Sequence, residues 1–379
     1  MKPLKHQERF GNNYTGLRIL GHEGGTGKTV CACLWLKDGR DADALVISPK
    51  RTLVKWRQAL SDWGTNATVV SNEQFKKLEQ KEWSAVVVDE ADYFGSPLFI
   101  ARLRSQLSFA LYNLVRAYPE MPTLLLSGTP VRSSPWNLHS LLCYVGIYID
   151  WKKWQAEFFE LKNLPYLPRP AYIPKPDWRR RIRTYIEKHV DIVLMKDCVD
   201  ELPPVTQQFI EVETPEFVPT PETKVFFDEH RWEQQNKVKH ILEIGREYRK
   251  VFVVAYYREQ IEELAAALGK DREVFTVHGG TLDAEAVLTA AKESPECFLI
   301  CQASIGAGFD ASQFSCAVFT SMSYAVRDYI QMTWRLRRVN DLHPIVHYHL
   351  MGGRCDRAVW KNIEAGKEFS PSLWSQTLL

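Results

Sequence analysis

The sequence predicts an α/β protein with two doubly wound parallel sheets, and three observations favour this fold class. The chain has 379 residues, more than one ordinary hydrophobic core organises. Short apolar runs without strict alternation recur along it, as in parallel strands that are buried on both faces. Helix-compatible stretches separate these runs, and this βαβ order is typical of doubly wound domains.

The apolar runs divide the chain into two predicted domains. They lie at residues 17–20, 44–48, 85–89 and 123–127, and again at 251–256, 273–280, 297–304, 316–321 and 345–353. Between these groups, residues 162–178 contain five prolines, which exclude a regular helix or a central strand. We predict a first domain at 1–205, with a proline-rich, aromatic and basic segment at about 150–200, an extended linker at 206–225 and a second domain at 226–379.

Composition and charge limit the classes of function. The 48 Lys and Arg residues nearly balance 46 Asp and Glu, which argues against a non-specific nucleic-acid coat but allows a local basic track. No signal peptide or membrane-spanning run is visible, so the sequence predicts a soluble, cytoplasmic protein. The eight cysteines include no Cys-x-x-Cys pair. The spacings Cys31/Cys33 and Cys297/Cys301 favour buried reduced thiols over metal ligands.

A glycine-rich turn, GHEGGTGKT at residues 21–29, follows the first predicted strand. Such a turn points successive backbone N–H groups inward and makes an anion nest. Lys28 would reach the β- and γ-phosphates of a nucleotide, and Thr29 would bind Mg²⁺. The strict pattern has glycine where His22 stands, so an ordinary glycine-rich turn is the alternative. The candidate ATP-binding residues of this turn are Gly24, Gly25, Thr26, Gly27, Lys28 and Thr29.

Acidic and hydroxyl residues end two further predicted strands. In VVVDEADYF, residues 86–94, Asp89 would hold Mg²⁺ and Glu90 would orient or deprotonate a water molecule. In LLLSGTP, residues 124–130, Ser127 and Thr129 would couple the nucleotide to a polymer. Each motif alone is equally compatible with a solvated turn. The phosphate loop upstream on the same sheet favours the functional interpretation.

These three motifs, in this order, resemble the helicase superfamily 2 core, which implies two RecA-like lobes with an ATP cleft between them. The segments LKHQERF, VISPKRTLVKW, CQASIGAGFD and YIQMTWRLRR extend the resemblance. It implies that Gln7 reads adenine and that Gly308 and Asp310 contribute to the ATP site, with Gly306 also matching.

The last segment resembles the arginine-finger helix, with matches at Gln331, Arg335 and Arg338. On one continuous helix, these residues share a face at i, i+4 and i+7, whereas Arg337 points away. We therefore predict that this face holds the triphosphate and that Gln331, Arg335 and Arg338 are catalytic together with Glu90. A solvated basic face is the alternative.

Within the superfamily, the sequence is most similar to Swi/Snf-type translocases and their fork-annealing relatives. SGTPVRSSPWNLHSLLCYVG and IVLMKDCVDELPPVTQQFIEV carry this likeness. Departures include His22 in the phosphate loop, and Leu194 and Met195 where a double arginine is usual; HGGTLDAEAV also lacks a frequent arginine. The large helical insertions of chromatin remodellers are missing. Because little of the sequence lies outside these motifs, we expect a minimal motor, as in phage or mobile-element helicases.

Candidate polymer contacts follow from the same resemblance. Lys50, Arg51 and Thr52 are assigned to phosphates in the first lobe, and His278 and Gly279 to the polymer in the second. Trp136 is a candidate for stacking on a base, although packing in the core is the favoured alternative. The basic run that includes Arg179–Arg181 is interpreted either as a duplex track or as a solvated helix face.

The sequence as a whole predicts an ATP-dependent DNA helicase or translocase that uses ATP and Mg²⁺ and moves on duplex or forked DNA, with single-stranded DNA also a candidate substrate. We expect a monomer in the cytoplasm, or in the host cytoplasm if phage-encoded, acting with replication or recombination proteins in DNA replication, repair or recombination. Three alternatives remain open: an RNA helicase, suggested by the DEAD tetrapeptide, an ATP-dependent switch without translocation, and the motor subunit of a restriction system.

Overall fold

The computed structural model describes residues 2–11, 13–131, 134–163, 170–198, 204–218, 225–305, 310–337 and 343–365. The chain divides into two compact units, Met1–Asp200 and Glu201–Leu379. The division lies five residues before the domain boundary drawn from the sequence. Gly306, Gly308 and Arg338 lie outside the described residues, as does part of the Leu-Pro-Pro segment.

The first unit is built on a six-stranded parallel sheet. Its strands are β1 (Ile19–His22), β2 (Ala44–Ser48), β3 (Thr68–Ser71), β4 (Ala85–Val88), β5 (Thr123–Leu126) and β8 (Val190–Val193), in the spatial order β3-β2-β4-β5-β1-β8. A separate antiparallel pair comprises β6 (Phe159–Lys162) and β7 (Ala171–Pro174). The helices are α1 (Lys5–Glu8), α2 (Lys28–Lys37), α3 (Leu53–Trp63), α4 (Asn72–Phe75), α5 (Gln106–Ala117), α6 (Trp136–Tyr144), α7 (Trp151–Phe158) and α8 (Trp178–His189).

The second unit has a sheet of the same kind. Its strands are β9 (Val205–Glu211), β10 (Lys250–Ala255), β11 (Glu273–Val277), β12 (Cys297–Gln302), β13 (Cys316–Phe319) and β14 (Ile345–Met351), in the order β11-β12-β10-β13-β14-β9. The helices are α9 (Val225–Trp232), α10 (Lys237–Glu247), α11 (Arg258–Leu268), α12 (Ala284–Glu293), α13 (Val326–Leu336) and α14 (Arg354–Glu364).

Both large sheets are buried on their two faces, which explains why the strands read as continuous apolar runs. In β2, Leu45 and Ile47 pack in one hydrophobic cluster and Ala44 and Val46 in another. In the second unit, alternate residues of β10 and β12 divide between two clusters in the same way. The predicted α/β class with two doubly wound parallel sheets is therefore confirmed.

Besides the small β6–β7 pair, two strands of the large sheets occur where the sequence suggested irregular chain. β8 lies in the segment at about 150–200 and pairs with β1, with Asp191 opposite Leu20. β9 lies in the expected linker and pairs along its whole length with β14. Both are edge strands with charged or polar residues among the apolar ones, because one side of an edge strand meets solvent, so neither gives the apolar signature of a central strand.

No helix among the described residues is long and apolar enough to cross a bilayer.

Candidate functional site

The phosphate-loop residues connect the end of β1 to the start of α2. Gly25 and Gly27 have φ angles of +85° and +82°, in the left-handed region that glycine adopts without strain. A Cβ atom on Gly27 would also meet the end of the Gln7 side chain, which would have to shift. The Thr26 hydroxyl donates to the Glu23 carbonyl at 2.8 Å and stiffens the loop from within.

Lys28 is the first residue of α2, so its side chain starts at the helix N-terminus, where anions are favoured. Its Nζ atom donates to the carbonyls of His22 and Glu23 at 2.8 and 3.3 Å. The ammonium group therefore lies against the loop that it was predicted to complete. Thr29 follows in the first turn of the same helix.

Gln7 is buried against this loop. Its Nε2 atom donates to the Thr26 carbonyl at 2.9 Å, and its Oε1 atom accepts from the backbone N–H of Leu4 at 2.8 Å. The side-chain amide of Gln7 thus binds both the phosphate loop and the backbone of Leu4 at the start of its own helix. The adenine-reading role assigned from the resemblance needs the same N–H and carbonyl groups of this amide, so it remains a prediction.

The candidate metal ligand Asp89 follows β4 and is held by buried donors. Its Oδ2 atom accepts from Ser48 Oγ at 2.8 Å and from Trp56 Nε1 at 2.9 Å. Its Oδ1 atom accepts from the backbone N–H of Glu90 at 3.0 Å. A carboxylate offers about four lone-pair positions, so one remains for a cation after these three bonds. Together with the Thr29 hydroxyl, this donor set consists of the hard oxygens that Mg²⁺ prefers.

Glu90 has a left-handed backbone conformation, with φ and ψ both +49°. For a residue other than glycine, such a conformation costs about 1–3 kcal/mol and persists only where the surroundings fix it. Two hydrogen bonds do so: Glu90 N–H donates to Asp89, and the Glu90 carbonyl accepts from Tyr93 N–H at 3.0 Å. Strain of this kind clusters at functional sites, in agreement with the role predicted for Glu90.

The two candidate coupling residues are joined to the acidic motif through a residue that the sequence analysis did not select. Asp92 is buried, and its Oδ1 atom accepts from Ser127 Oγ at 3.1 Å. The same Ser127 oxygen accepts from the Thr129 backbone N–H at 3.0 Å. Asp92 is the last residue of the DEAD tetrapeptide at residues 89–92, and its place in that motif could have identified it from the sequence.

Parallel strands place all these residues at one edge of the first sheet. β2, β4, β5 and β1 are adjacent in the sheet, and their carboxyl ends carry Ser48, Asp89, Ser127 and the phosphate loop. In open α/β sheets, ligands bind at this edge.

The three first-unit polymer candidates differ in exposure. Lys50 and Arg51 are exposed, as a phosphate-binding role requires. Thr52 is different, because its hydroxyl is buried, lies 2.5 Å from Ser48 Oγ and donates to the Pro49 carbonyl at 2.8 Å. The Thr52 side chain therefore belongs to the network behind Asp89 and does not face a polymer.

Trp136 is also buried, with its ring stacked on Phe159 at a centroid distance of 4.6 Å. The structure therefore contradicts the base-stacking role and supports core packing. The run Arg179–Arg181 lies exposed at the start of α8. Arg180 and Arg181 pair with Asp177 at 3.3 and 2.7 Å, and Arg179 lies over the Trp178 ring, so part of this positive charge is compensated locally.

In the second unit, His278 and Gly279 follow β11 at the carboxyl edge of its sheet. Gly279 is exposed, and its N–H donates to Gln302 Oε1 at 3.1 Å. Asp310 is exposed and its Oδ1 atom accepts from the Ser312 N–H at 3.0 Å.

The helical phasing predicted for QMTWRLRR is wrong at its C-terminal end. α13 ends at Leu336, and Arg337 has an extended conformation with φ −95° and ψ 131°. The Arg335 carbonyl accepts a hydrogen bond from the Ala311 N–H at 3.1 Å, which caps the final turn from another segment. Gln331 and Arg335 still share a helix face. Gln331 is buried and, with its amide oxygen turned toward Arg327, accepts two bonds at 2.9 and 3.1 Å. Arg338 lies outside the described residues, so its part in this face stays a prediction.

A buried polar network lies at the start of α14. Lys237 is fully buried and donates to Asp356 at 2.6 Å and to Gln234 at 2.8 Å. His230 Nε2 lies 2.9 Å from the other Asp356 oxygen. Burial alone would raise the pKa of Asp356, but the Lys237 charge and the His230 hydrogen bond outweigh it and lower the pKa to about 2. None of these residues was selected from the sequence, because buried pairs across the chain leave no local pattern.

Residues 233–340 match the family described as helicase conserved C-terminal domain. This match bears out the predicted resemblance to helicases: a stretch of the second unit is similar to the helicase C-terminal domain.

Among solved structures, the chain is similar to the Sulfolobus solfataricus SWI2/SNF2 ATPase core in complex with dsDNA. The two are 14% identical, the match covers 93% of this chain and 88% of that chain, and the TM-score is 0.42. No curated protein is significantly similar in sequence.

Proposed function

We propose that the chain is an ATP-dependent DNA translocase or helicase of the Swi/Snf type, moving on duplex or forked DNA. The observation that carries the proposal is the single edge of the first sheet at which Lys28, Asp89, Glu90 and Ser127 all lie. The helicase C-terminal domain of the second unit supports the same function.

Each first-unit residue has a role that its contacts support. The left-handed glycines and the α2 N-terminus bind the phosphates, and Lys28 moves its charge from two loop carbonyls to the β/γ-phosphates. Thr29 and Asp89 would hold Mg²⁺, which supplies charge neutralisation for the phosphoryl group. Glu90 orients or deprotonates the attacking water. Asp92 and Ser127 link this chemistry to the neighbouring strand end.

Gln331, Arg335 and Arg338 remain our proposed second-unit contributors to hydrolysis. Arginine side chains stabilise charge that develops on the phosphoryl group in the transition state. Removing such an arginine lowers the rate of hydrolysis by roughly 10³- to 10⁵-fold. The polymer contacts proposed are Lys50, Arg51, His278 and Gly279. Thr52 and Trp136 are no longer among them, because both are buried.

The preference for DNA is tested by the choice of stimulating polymer. The ATPase rate of the full chain is measured with single-stranded DNA, duplex DNA, forked DNA and RNA of matched length, and Lys28→Ala serves as the control for contaminating ATPases. We expect duplex or forked DNA to stimulate most, because the Swi/Snf-like segment at 192–212 favours that class. Stronger stimulation by RNA would favour the alternative suggested by the DEAD tetrapeptide. Stimulation without movement in a strand-displacement or triplex-displacement assay would indicate an ATP-dependent switch.

A further inference from the structure

A compact group of side chains lies directly behind the phosphate loop and takes no part in the function proposed above. His22 ends β1, Cys31 lies in the first turns of α2, and His6 lies in α1. One nitrogen of each histidine and the Cys31 sulfur all lie within 4.8 Å of one another. His22 and Cys31 are fully buried, and His6 is half-buried.

The hydrogen bonds of the two histidines indicate which nitrogen of each ring carries the proton. His6 Nε2 lies 2.9 Å from the Thr26 carbonyl, which can only accept, so Nε2 carries the proton. His22 Nε2 lies 3.1 Å from the Asp191 carboxylate and donates to it in the same way. A neutral imidazole carries a single proton, which these contacts place on Nε2 of each ring. Each Nδ1 atom is therefore a lone-pair donor.

Both Nδ1 atoms are buried without a hydrogen-bond partner in the described part of the chain. Burial of an unsatisfied imidazole nitrogen costs roughly 1–3 kcal/mol, so two of them in one compact group need an explanation. The Cys31 thiol has a single proton and would satisfy at most one. A cation satisfies both nitrogens and the sulfur together.

We propose that His6, His22 and Cys31 form a zinc site behind the phosphate loop. The ligands are two imidazole nitrogens and one thiolate, which is the donor set of zinc in proteins. The second shell is also of the expected kind, since zinc-binding histidines usually donate their other N–H to a carboxylate or a backbone carbonyl. Here Asp191 and Thr26 serve those roles, and Arg9 in turn pairs with Asp191.

The binding step balances in charge and protons. Zn²⁺ enters, the Cys31 S–H bond breaks, the sulfur bonds to zinc as thiolate, and the proton leaves to solvent. Because the thiol proton is lost when the sulfur bonds to the metal, binding releases about one proton per zinc. The three donor atoms already lie within 4.8 Å of one another, a span of the size that two zinc bonds of about 2.0–2.3 Å bridge.

The other acidic and thiol cluster in the described residues does not share these properties. Glu229, Glu233 and Cys355 are also close together, but Glu229 pairs with Arg354, and Glu233 accepts from the backbone N–H groups of Cys355 and Asp356. Its carboxylates are already satisfied by protein donors. The histidine group is different because its lone pairs are not.

The position of the site suggests its effect. His22 and Cys31 flank the loop of residues 23–27 on its two sides, and His6 anchors both to α1. A bound zinc ion would fix the separation of the two ends of the loop. The unusual histidine in place of the first glycine of the phosphate-loop pattern thereby has a chemical purpose.

The test uses the full chain, stripped with a chelator and then titrated with Zn²⁺ and Co²⁺. We expect one zinc per chain, release of about one proton, a rise in melting temperature, and a thiolate-to-cobalt charge-transfer band in the Co²⁺ form. Cys31→Ser should abolish the band and the melting shift. Cys33→Ser, a buried thiol two residues away on the same helix, is the matched control and should retain both.

His6→Gln guards against misfolding, since the half-buried glutamine retains a donor for the Thr26 carbonyl. It should lose zinc while the melting temperature of the metal-free protein changes little. Asp191→Asn should weaken zinc binding roughly 10- to 100-fold. The proposal is overturned if the wild type binds no zinc, if it binds copper(I) but not zinc, or if Cys31→Ser and His6→Gln bind zinc as the wild type does. ATP hydrolysis is not a readout here, so this result is independent of the proposed function.

Discussion

The Nζ atom of Lys237 lies 2.6 Å from Oδ2 of Asp356, and both side chains are buried in the second unit. The same carboxylate accepts from the Gly352 backbone N–H at 2.8 Å and contacts His230, so it joins α9, α10 and the start of α14. A buried ion pair adds little net stability over an apolar pair, but removing one partner leaves an unpaired buried charge.

Lys237→Met should therefore destabilise the second unit by about 3–5 kcal/mol, because Asp356 loses its main counter-charge. Lys239→Met is the matched control, since Lys239 lies exposed on the same helix and should change stability by less than about 0.5 kcal/mol. Urea denaturation of the full chain, followed by near-ultraviolet circular dichroism, measures both. Equal stability of the two variants would contradict the structural role of the pair.

The pH dependence of stability should report the same carboxylate. The pKa of Asp356 is about 2 in the folded chain against an ordinary 3.8, so its stabilisation is present above about pH 4 and is lost as pH falls toward 2. The stability difference between wild type and Asp356→Asn should thus be constant from pH 7 to about 5 and shrink as pH falls further. A difference that grows on acidification would show that the carboxyl group is protonated in the folded state.

Glu90→Gln should separate nucleotide binding from turnover. The amide keeps the size of the side chain and leaves Asp89 in place, so ATP affinity should stay within a few-fold of wild type. The hydrolysis rate should fall roughly 10²- to 10⁴-fold, because a glutamine does not act as a general base. Binding by a fluorescent ATP analogue and phosphate release are measured separately. Turnover near the wild-type rate would remove Glu90 from the proposed mechanism.

Ser127→Ala should reduce polymer stimulation more than basal hydrolysis. The change removes the donor to Asp92 and the acceptor for the Thr129 N–H, while the phosphate loop is untouched. Ser108→Ala is the matched control, because Ser108 is equally buried and donates to the Phe94 carbonyl at 2.7 Å. Each variant should lose about 1 kcal/mol of stability. If both lower stimulation equally, the loss comes from stability and not from coupling.

Lys50→Ala combined with Arg51→Ala should weaken nucleic-acid binding without changing ATP affinity. Removal of two phosphate contacts should reduce the slope of log affinity against log salt by about 2. Lys81→Ala is the control, because Lys81 is also exposed but precedes β4, at the opposite edge of the sheet. An unchanged slope in the double variant would place the polymer elsewhere.

The sequence predicted the central strands well, because each is buried on both faces and therefore apolar throughout. It also placed the phosphate loop, Asp89 and Ser127 at strand ends, where parallel topology brings distant residues to one edge. It did not predict β8 and β9, since the polar residues of edge strands break the apolar pattern. Asp191 in β8 is one of these polar residues. It pairs with His22, which lies 169 residues earlier in the chain, so no local sequence pattern reveals the contact.

The orientation of side chains was the other feature that the sequence did not predict. Thr52 was assigned an outward role from its place in a motif, but its hydroxyl hydrogen-bonds inward, whereas Trp136 stacks in the core as the favoured interpretation expected. The arginine segment was assumed to be one helix, and its end at Leu336 depends on a contact with Ala311 that spacing alone does not reveal.

The hydrogen bond between Trp56 and Asp89 has an optical consequence. The indole is 2% exposed, and its N–H points at the carboxylate that is proposed to hold the cation. Its excited state is polarised along the ring, so a change of charge at Asp89 shifts its absorption and emission without any movement of the protein. Although the chain has 12 tryptophans, subtraction of the spectrum of Trp56→Phe isolates this one. The proposed cation site thus has its own tryptophan, whose emission would report binding of a cation at Asp89 without an added label.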